Sequence, residues 1–332
     1  MQIAITHDYH PRFNMTAIQV NNLEKRFGDL AALQGISFSV AKGETFGFLG
    51  PNGAGKTTTI RILTGISRPT SGSATIFGKN VVTETIAARK EIGIVHETSN
   101  VYDDMSAWKN LMFSAELYSI RREERESRGR SLLELFGLWD RRHDRVKGFS
   151  KGMKRRLTLA MGLVNNPRLL FLDEPTSGLD VQSNLIIRDV IRELNSKGVT
   201  VFLTTHNIEE ANVTCDRVAI INHGKIAAID SPEKLKKTIE SAQSVEVALE
   251  GTSHDVQICL DKLPLVDEIR KAGDKYRLFT DDPSRLIKTI MDCAEEQNVR
   301  VISMNTYGPS LEDVFIKLTG LDVRTKGVTA ID

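Results

Sequence analysis

The chain has 332 residues, and at ~100–200 residues per domain that length suggests two domains, or one domain with a substantial appendage. Hydrophobic residues make up 40% and charged residues 26%, and 44 basic against 43 acidic side chains leave a net charge of +1; this is the balance of a soluble globular protein and lacks the basic excess of a nucleic-acid binder. No apolar run nears the ~18 residues that cross a bilayer, so a chain that does not span a membrane is expected.

Residues 1–14 carry His7, His10 and Pro11 without apolar periodicity and without the basic-then-apolar layout of a secretory signal. They read as a loose tail, which outweighs a metal site built on the two histidines. Met15 opens a better-patterned stretch and is a second candidate start. From Ala17 to about Asp230, short apolar runs alternate with longer helical patterns, the habit of a parallel sheet with crossover helices. Strands are expected at Thr45–Leu49, Leu169–Leu172, Thr200–Thr204 and Val218–Ile221. Between them, about 98–165 forms a helical subdomain, because from Ser106 to Asn165 only helical patterns occur; the charge run Arg121–Arg130 is a solvated helix face.

Ser231-Pro232-Glu233 places an N-cap, a first-turn proline and an acidic residue in order, opening a linker helix over 231–242. The pattern then changes. Val245–Leu249, Val266–Arg270, Tyr276–Thr280 and Arg300–Met304 read as strands, with helices near His254–Leu260, Pro283–Gln297 and Pro309–Leu318. A separate α+β domain over 243–320 is expected, followed by a tail at 321–332. Cys215, Cys259 and Cys293 are an odd set without metal-ligand spacing, which argues against a disulfide framework and points to a reducing compartment.

The chemistry concentrates at two places. Gly50-Pro51-Asn52-Gly53-Ala54-Gly55-Lys56-Thr57 satisfies the phosphate-loop pattern, follows the strand Thr45–Leu49 and opens the helical run Thr58–Leu63. Its glycines let backbone N–H groups, from Asn52 through Thr58, curl around phosphate oxygens; Lys56 adds charge, and Thr57 offers a hydroxyl to Mg²⁺. A glycine-rich turn before an ordinary helix is the plain alternative. The second place is Leu169-Leu170-Phe171-Leu172-Asp173-Glu174, an apolar strand that ends in two carboxylates. Asp173 can hold Mg²⁺, and Glu174 can accept the proton of an attacking water; alone, the pair would more simply cap a helix.

Gly50–Thr57, Phe149-Ser150-Lys151-Gly152-Met153, Asp173-Glu174-Pro175-Thr176-Ser177-Gly178-Leu179-Asp180 and Thr204-Thr205-His206 stand in the order seen in ATP-binding cassette (ABC) ATPases, and over about 16–230 the chain resembles that family. The resemblance implies an α/β P-loop cassette with a helical subdomain, here followed by the small α+β domain. It implies two copies joined head to tail, each ATP lying between the phosphate loop of one and the Ser150–Gly152 segment of the other. It further implies Glu174 and His206 as catalytic residues, Phe27 as a platform for adenine, Asp180 at the interface of the copies, and Mg²⁺ on Thr57 and Asp173. On its own, Ser150 reads as the N-cap of the helix Lys151–Asn165, Phe27 as core packing, and His206 as a surface histidine at a strand end.

Three positions depart from the family pattern. Glu97 stands where a glutamine is usual, which puts a negative charge beside phosphates. Lys151 and Met153 stand where glycine and glutamine are common, a form familiar in cassettes paired with exporters. The segment Gly308–Gly320 also looks like the end of an accessory domain found on exporter cassettes, and is at the same time an amphipathic closing helix. The resulting expectation is an ATPase subunit on the cytoplasmic face of the membrane, powering a separately encoded membrane-spanning permease, with the segment Glu97–Leu111 as the contact surface. The alternative is an ABC ATPase acting on ribosomes or nucleic acid, which would carry two cassettes, zinc motifs or long coiled coils. A P-loop kinase would leave Ser150–Met153 without a purpose.

Overall fold

The computed structural model describes residues 15–238, 243–251, 256, 258–260, 263 and 265–320. The chain divides into two compact units after Ile229. The expected tails at 1–14, with His7 and His10, and at 321–332 lie outside the described residues, as do the end of the linker helix and much of the helix expected near His254–Leu260.

The first unit holds two sheets. The larger has six strands in the order β10-β9-β3-β8-β7-β6, formed by β6 (Ile92–Val95), β7 (Leu169–Asp173), β8 (Thr200–Thr205), β3 (Thr45–Leu49), β9 (Arg217–Asn222) and β10 (Lys225–Asp230). β3 runs parallel to β8 and β9, and β7 runs parallel to β6 and β8. Every residue of β3, β7 and β8 is buried, which is why they read as uninterrupted apolar runs. Leu49 lies opposite Thr205 and Asp173 opposite Thr204, so three adjacent strands end level with one another. The loops that carry the chemistry therefore emerge side by side.

The second sheet corrects the expectation of parallel strands throughout this part of the chain. β1 (Thr16–Phe27), β2 (Leu30–Ala41), β4 (Ser71–Ile76) and β5 (Lys79–Asn80) form an antiparallel sheet in the order β2-β1-β4-β5. Its alternation is hidden by register shifts between Val20 and Leu23, where Asn22 adopts a left-handed φ of 45°. An extra residue there swaps the inward and outward faces of β1, so the period of two does not persist.

Side chains from both sheets share one core. Phe38 of β2 stacks on Phe46 at 5.6 Å and on Phe202 at 6.0 Å, and Phe171 meets Phe202 at 5.4 Å. Ile60 and Leu63 of α1 (Lys56–Leu63) fill the same core. Each such side chain contributes roughly 1.5–3 kcal/mol relative to an exposed one. The core holds α1, and with it the phosphate loop, against the ends of β3 and β8.

From Ala107 to Leu163 the chain is helical, as the patterns predict: α3 (Ala107–Leu117), α4 (Arg122–Leu135) and α5 (Lys151–Leu163), with short 3₁₀ turns between α4 and α5. The charge run lies on α4, where Arg122–Glu126, Arg128–Glu124 and Arg130–Glu134 pair at i,i+4 on its solvated surface.

In the second unit, the helix Pro232–Lys237 starts with Ser231 accepting from Lys234 N and Pro232 in the first turn. A four-stranded antiparallel sheet follows, ordered β12-β13-β11-β14, from β11 (Ser244–Glu250), β12 (Glu268–Ala272), β13 (Lys275–Phe279) and β14 (Arg300–Tyr307). β12 sits two residues later than the apolar pattern indicates. The two residues Gly273-Asp274 between β12 and β13, with Gly273 at φ 66°, form a tight hairpin that extends pairing to Ala272 and Lys275. The helix Pro283–Glu296 packs Leu286, Ile290 and Cys293 against Val245, Val247 and Leu278. The closing helix Leu311–Thr319 begins with a capping box between Ser310 and Asp313.

Candidate active site

The phosphate loop owes its shape to its glycines. Gly53 and Gly55 adopt φ of 82° and 111°, a region that other residues enter only with strain. Gly50 lies so close to the backbone of Ile221 that a Cβ has no room. α1 starts at Gly55 without any side-chain cap, so its first N–H groups face the loop free of intrahelical partners. That arrangement is an anion cradle.

Lys56 is 6% exposed, and its ammonium donates to the carbonyls of Gly50 at 2.6 Å and Pro51 at 3.2 Å. It also pairs with Glu174 Oε1 at 3.3 Å. Glu174 is 7% exposed and follows the end of β7 with φ 48°, a left-handed conformation unusual for a residue with a side chain. Its Oε2 accepts from the backbone N–H of His206 at 3.3 Å and lies 2.8 Å from His206 Nδ1. The two residues that the family resemblance marks as catalytic are thus tied to each other. Asp173, 4% exposed, accepts the Thr204 hydroxyl at 2.5 Å on Oδ1.

Lys56, Glu174 and His206 line a cleft of about 720 Å³ together with Phe27, Asn52, Gly53, Gly55, Thr57, Thr58 and Glu97, while Asp173 lies outside its lining. Phe27 is 52% exposed, with Lys25 Nζ 4.8 Å from its ring centroid, so the core-packing alternative does not apply. Ala54 is buried beneath the loop. The Glu97 side chain is exposed at the edge of the cleft and also borders a neighbouring hollow of about 460 Å³ with Phe149, Lys151 and Ser177.

Ser150, Gly152 and Asp180 do not line the loop's cleft in their own chain. Ser150 caps α5 by accepting from Met153 N at 3.2 Å. Gly152 presses against the Ser183 hydroxyl, leaving no space for a Cβ. Asp180 caps α6 (Val181–Ser196), accepting from Ser183 N at 2.8 Å and Ser183 Oγ at 2.9 Å. Those hydrogen bonds hold the Asp180 carboxyl below the usual carboxylate range.

A profile of the ABC transporter family matches residues 33–177. The linearmycin resistance ATP-binding protein LnrL of Bacillus subtilis is 34% identical over 309 residues, covering 92% of this chain and 99% of that protein. The chain belongs to the ABC transporter family. The Nod factor export ATP-binding protein I of Rhizobium etli is 35% identical over 312 residues, covering 94% of this chain and 96% of that protein. Among solved structures, the dimeric ATP-binding cassette MJ0796 bound to ADP and Pi is 25% identical, with a TM-score of 0.59, covering 64% of this chain and 98% of that one. As an ABC ATPase the chain binds and hydrolyses ATP, and the residues that the family profile matches lie within the first unit. Among the described residues no helix is long and apolar enough to cross a membrane.

Two residues that the motifs overlook, Glu210 and Arg155, lie around Glu174, and Thr204, quoted in a motif but given no role there, donates its hydroxyl to Asp173. Glu210, on α7 (Ile208–Thr214), is 1% exposed and accepts from Thr176 Oγ1 at 2.8 Å; burial pushes its carboxyl above the ordinary range, and the Glu174 charge adds to the effect. Arg155, 3% exposed, donates from Nε to Pro175 O at 2.9 Å, from Nη1 to His96 O and to Glu97 O at 3.1 Å, and from Nη2 to Asp173 O at 2.9 Å and Glu174 O at 3.0 Å. No spacing along the sequence separates Arg155 from Arg156, since both fall three or four residues from buried Gly152 and Leu159; only its burial in α5 distinguishes Arg155.

Proposed function

We propose that the chain is the ATP-hydrolysing subunit of an exporter, driving a separately encoded membrane permease from the cytoplasmic face, with Glu174 as general base. The observation that carries the catalytic part is the Lys56–Glu174–His206 cluster at the mouth of the phosphate loop. The export part is supported by relatives, named for resistance and for export, that match along both units. Neither relative's name points to ribosomes or nucleic acid. Co-expression with a candidate permease tests the proposal: export should require both proteins and fail with Lys56→Ala. Export that proceeds without this chain would overturn it.

Two copies associate head to tail in this reading, as the dimeric relative's cassette suggests. Ser150 and Gly152, which do not line the phosphate loop's cleft in their own chain, then complete the site of the partner through the N-terminus of α5. Phe27 stacks on the base, and Lys56 leaves its loop carbonyls for the phosphates. Glu174 accepts a proton from water, while His206 fixes the carboxylate through its backbone N–H and Nδ1.

Mg²⁺ suits this donor set. Magnesium bound to nucleotide takes one or two protein oxygens with phosphate and water supplying the rest, and the Thr57 hydroxyl and the Asp173 carboxylate match that number. Thr57 and Asp173 would hold the ion, which when bound neutralises phosphate charge.

Glu97 lines the rim of the cleft with its side chain exposed, and the segment from Glu97 to Leu111 is the proposed permease contact. Glu97→Gln should therefore keep ATP hydrolysis by the purified protein within about threefold of wild type, since no buried bond of its carboxylate is lost. Export per ATP should change. Loss of ATP binding in this variant would mean that Glu97 is a nucleotide ligand.

A further inference from the structure

Arg155 spends every N–H of its guanidinium on backbone carbonyls: two at the end of β6 and three consecutive ones after β7. A buried cation held only by peptide dipoles is costly to desolvate, and burial lowers the affinity of this guanidinium for its proton. Asp173, Glu210, Glu97 and Glu174 surround it closely enough to favour its charge. A leucine at this inward position of α5 would pack without that cost, so the arrangement calls for a reason beyond packing.

The three carbonyls after β7 supply it. They belong to Asp173, Glu174 and Pro175, the turn in which Glu174 takes its left-handed φ of 48°. A non-glycine residue in that region costs on the order of 1–3 kcal/mol and stays there only when its surroundings over-determine the backbone. The planar fork of arginine bonds both peptides that flank the strained residue, while Glu174 N is held from the other side by Thr204 O at 3.0 Å. Released from the fork, Glu174 could relax toward an ordinary φ and carry its carboxylate away from Lys56 and His206.

We propose that Arg155 is a positioning residue for the ATPase reaction, locking the Asp173–Pro175 turn to the Glu97 segment and to α5 so that Glu174 is presented at the phosphate loop. Because α5 starts at Ser150, Arg155 also ties the geometry of Glu174 to the helix whose N-terminus serves the other copy. This role rests on Glu174 as the proton acceptor. Lysine cannot substitute, since a compact ammonium with three donors cannot span two loops as the fork does.

The test uses Arg155→Lys and Arg155→Met in the full chain, each alone and combined with Glu174→Gln, with nucleotide binding, melting temperature and steady-state hydrolysis measured for all. A 1 Å displacement of a reacting group can cost about 100-fold, so kcat should fall about 10–100-fold in Arg155→Lys and further in Arg155→Met, with KM for ATP within about threefold of wild type. In the Glu174→Gln background either change should lower the residual rate by less than about threefold, because the effect passes through Glu174. Amide exchange at Glu174–Ser177 should quicken in Arg155→Lys, with β8 unchanged. Wild-type turnover in both variants, a joint loss of nucleotide binding and thermal stability, or a further large loss in the double variants would overturn the role. Slow hydrolysis in Glu174→Gln with unaffected Arg155 variants would remove positioning alone; wild-type hydrolysis in Glu174→Gln would remove the base assignment and the positioning with it.

Discussion

Glu174→Gln should bind ATP within about threefold of wild type and hydrolyse it about 10²–10⁴ times more slowly, the usual contribution of a general base. The amide keeps the size of the side chain and can still accept the backbone N–H of His206, which bonds Oε2 at 3.3 Å. What it cannot do is take a proton. The same change removes the anion from a pair in which the two side chains are only 6% and 8% exposed. Removing one member of such a pair leaves the other buried and uncompensated. The nucleotide-free variant should consequently melt at a lower temperature than wild type, and ATP should raise its melting point by more than it raises that of wild type, since the phosphates supply the missing negative charge. Thermal shift and phosphate-release assays on the purified chain measure both. Near-wild-type phosphate release would refute the base assignment.

Lys56→Ala should lower ATP affinity about 10–100-fold, the range expected when a charge-assisted hydrogen bond of about 1.5–3 kcal/mol is removed. Without nucleotide, the ammonium is satisfied by Gly50 O, Pro51 O and Glu174, so it is poised beside the cradle rather than extended into solvent. Its removal also strips Glu174 of its buried cation, and residual hydrolysis should fall by more than affinity alone accounts for. Titration calorimetry with a non-hydrolysable ATP analogue separates the two effects. Wild-type affinity would show that the backbone N–H groups of the loop suffice to hold the phosphates.

The site was legible in the sequence where chemistry and backbone geometry demand particular residue types. Gly53 and Gly55 have to be glycines for their φ, Lys56 has to carry charge, and the apolar run Leu169–Leu172 has to stop at Asp173, the last residue of β7. The fully buried parallel strands were visible for the same reason. β1 and β2 were not, because the bulge at Asn22 interrupts their alternation and charged residues such as Glu24, Lys25 and Arg26 dilute what remains. β12 was displaced because a tight hairpin, rather than side-chain polarity, fixes its register. Arg155 escaped the motif reading because its partners are carbonyl groups, which have no residue identity, and its flanking Lys154 and Arg156 make it look like one member of a charged surface run. Spacing does not set it apart, because Arg156 also falls three or four residues from Gly152 and Leu159. The pairing of His206 with Glu174 joins strands β7 and β8, a contact that spacing along the chain does not encode.

In the proposed dimer each ATP site is assembled from two chains, with Ser150 serving the phosphate loop of its partner. Purified mixed dimers test it directly, with differently tagged copies, phosphate release measured, and ATP occupancy determined at each site. A dimer with Lys56→Ala in one copy and Ser150→Arg in the other gathers both lesions into one site and leaves the second intact. A dimer pairing the doubly substituted copy with wild type spreads them over both sites. The account predicts occupancy and hydrolysis at one intact site in the first arrangement, up to about half the wild-type rate, and at least about tenfold less hydrolysis in the second, because a bulky charge at the N-terminus of α5 blocks closure. Equal activity and occupancy in the two arrangements would contradict it, and would mean that Ser150 acts within its own chain or does no more than cap its helix.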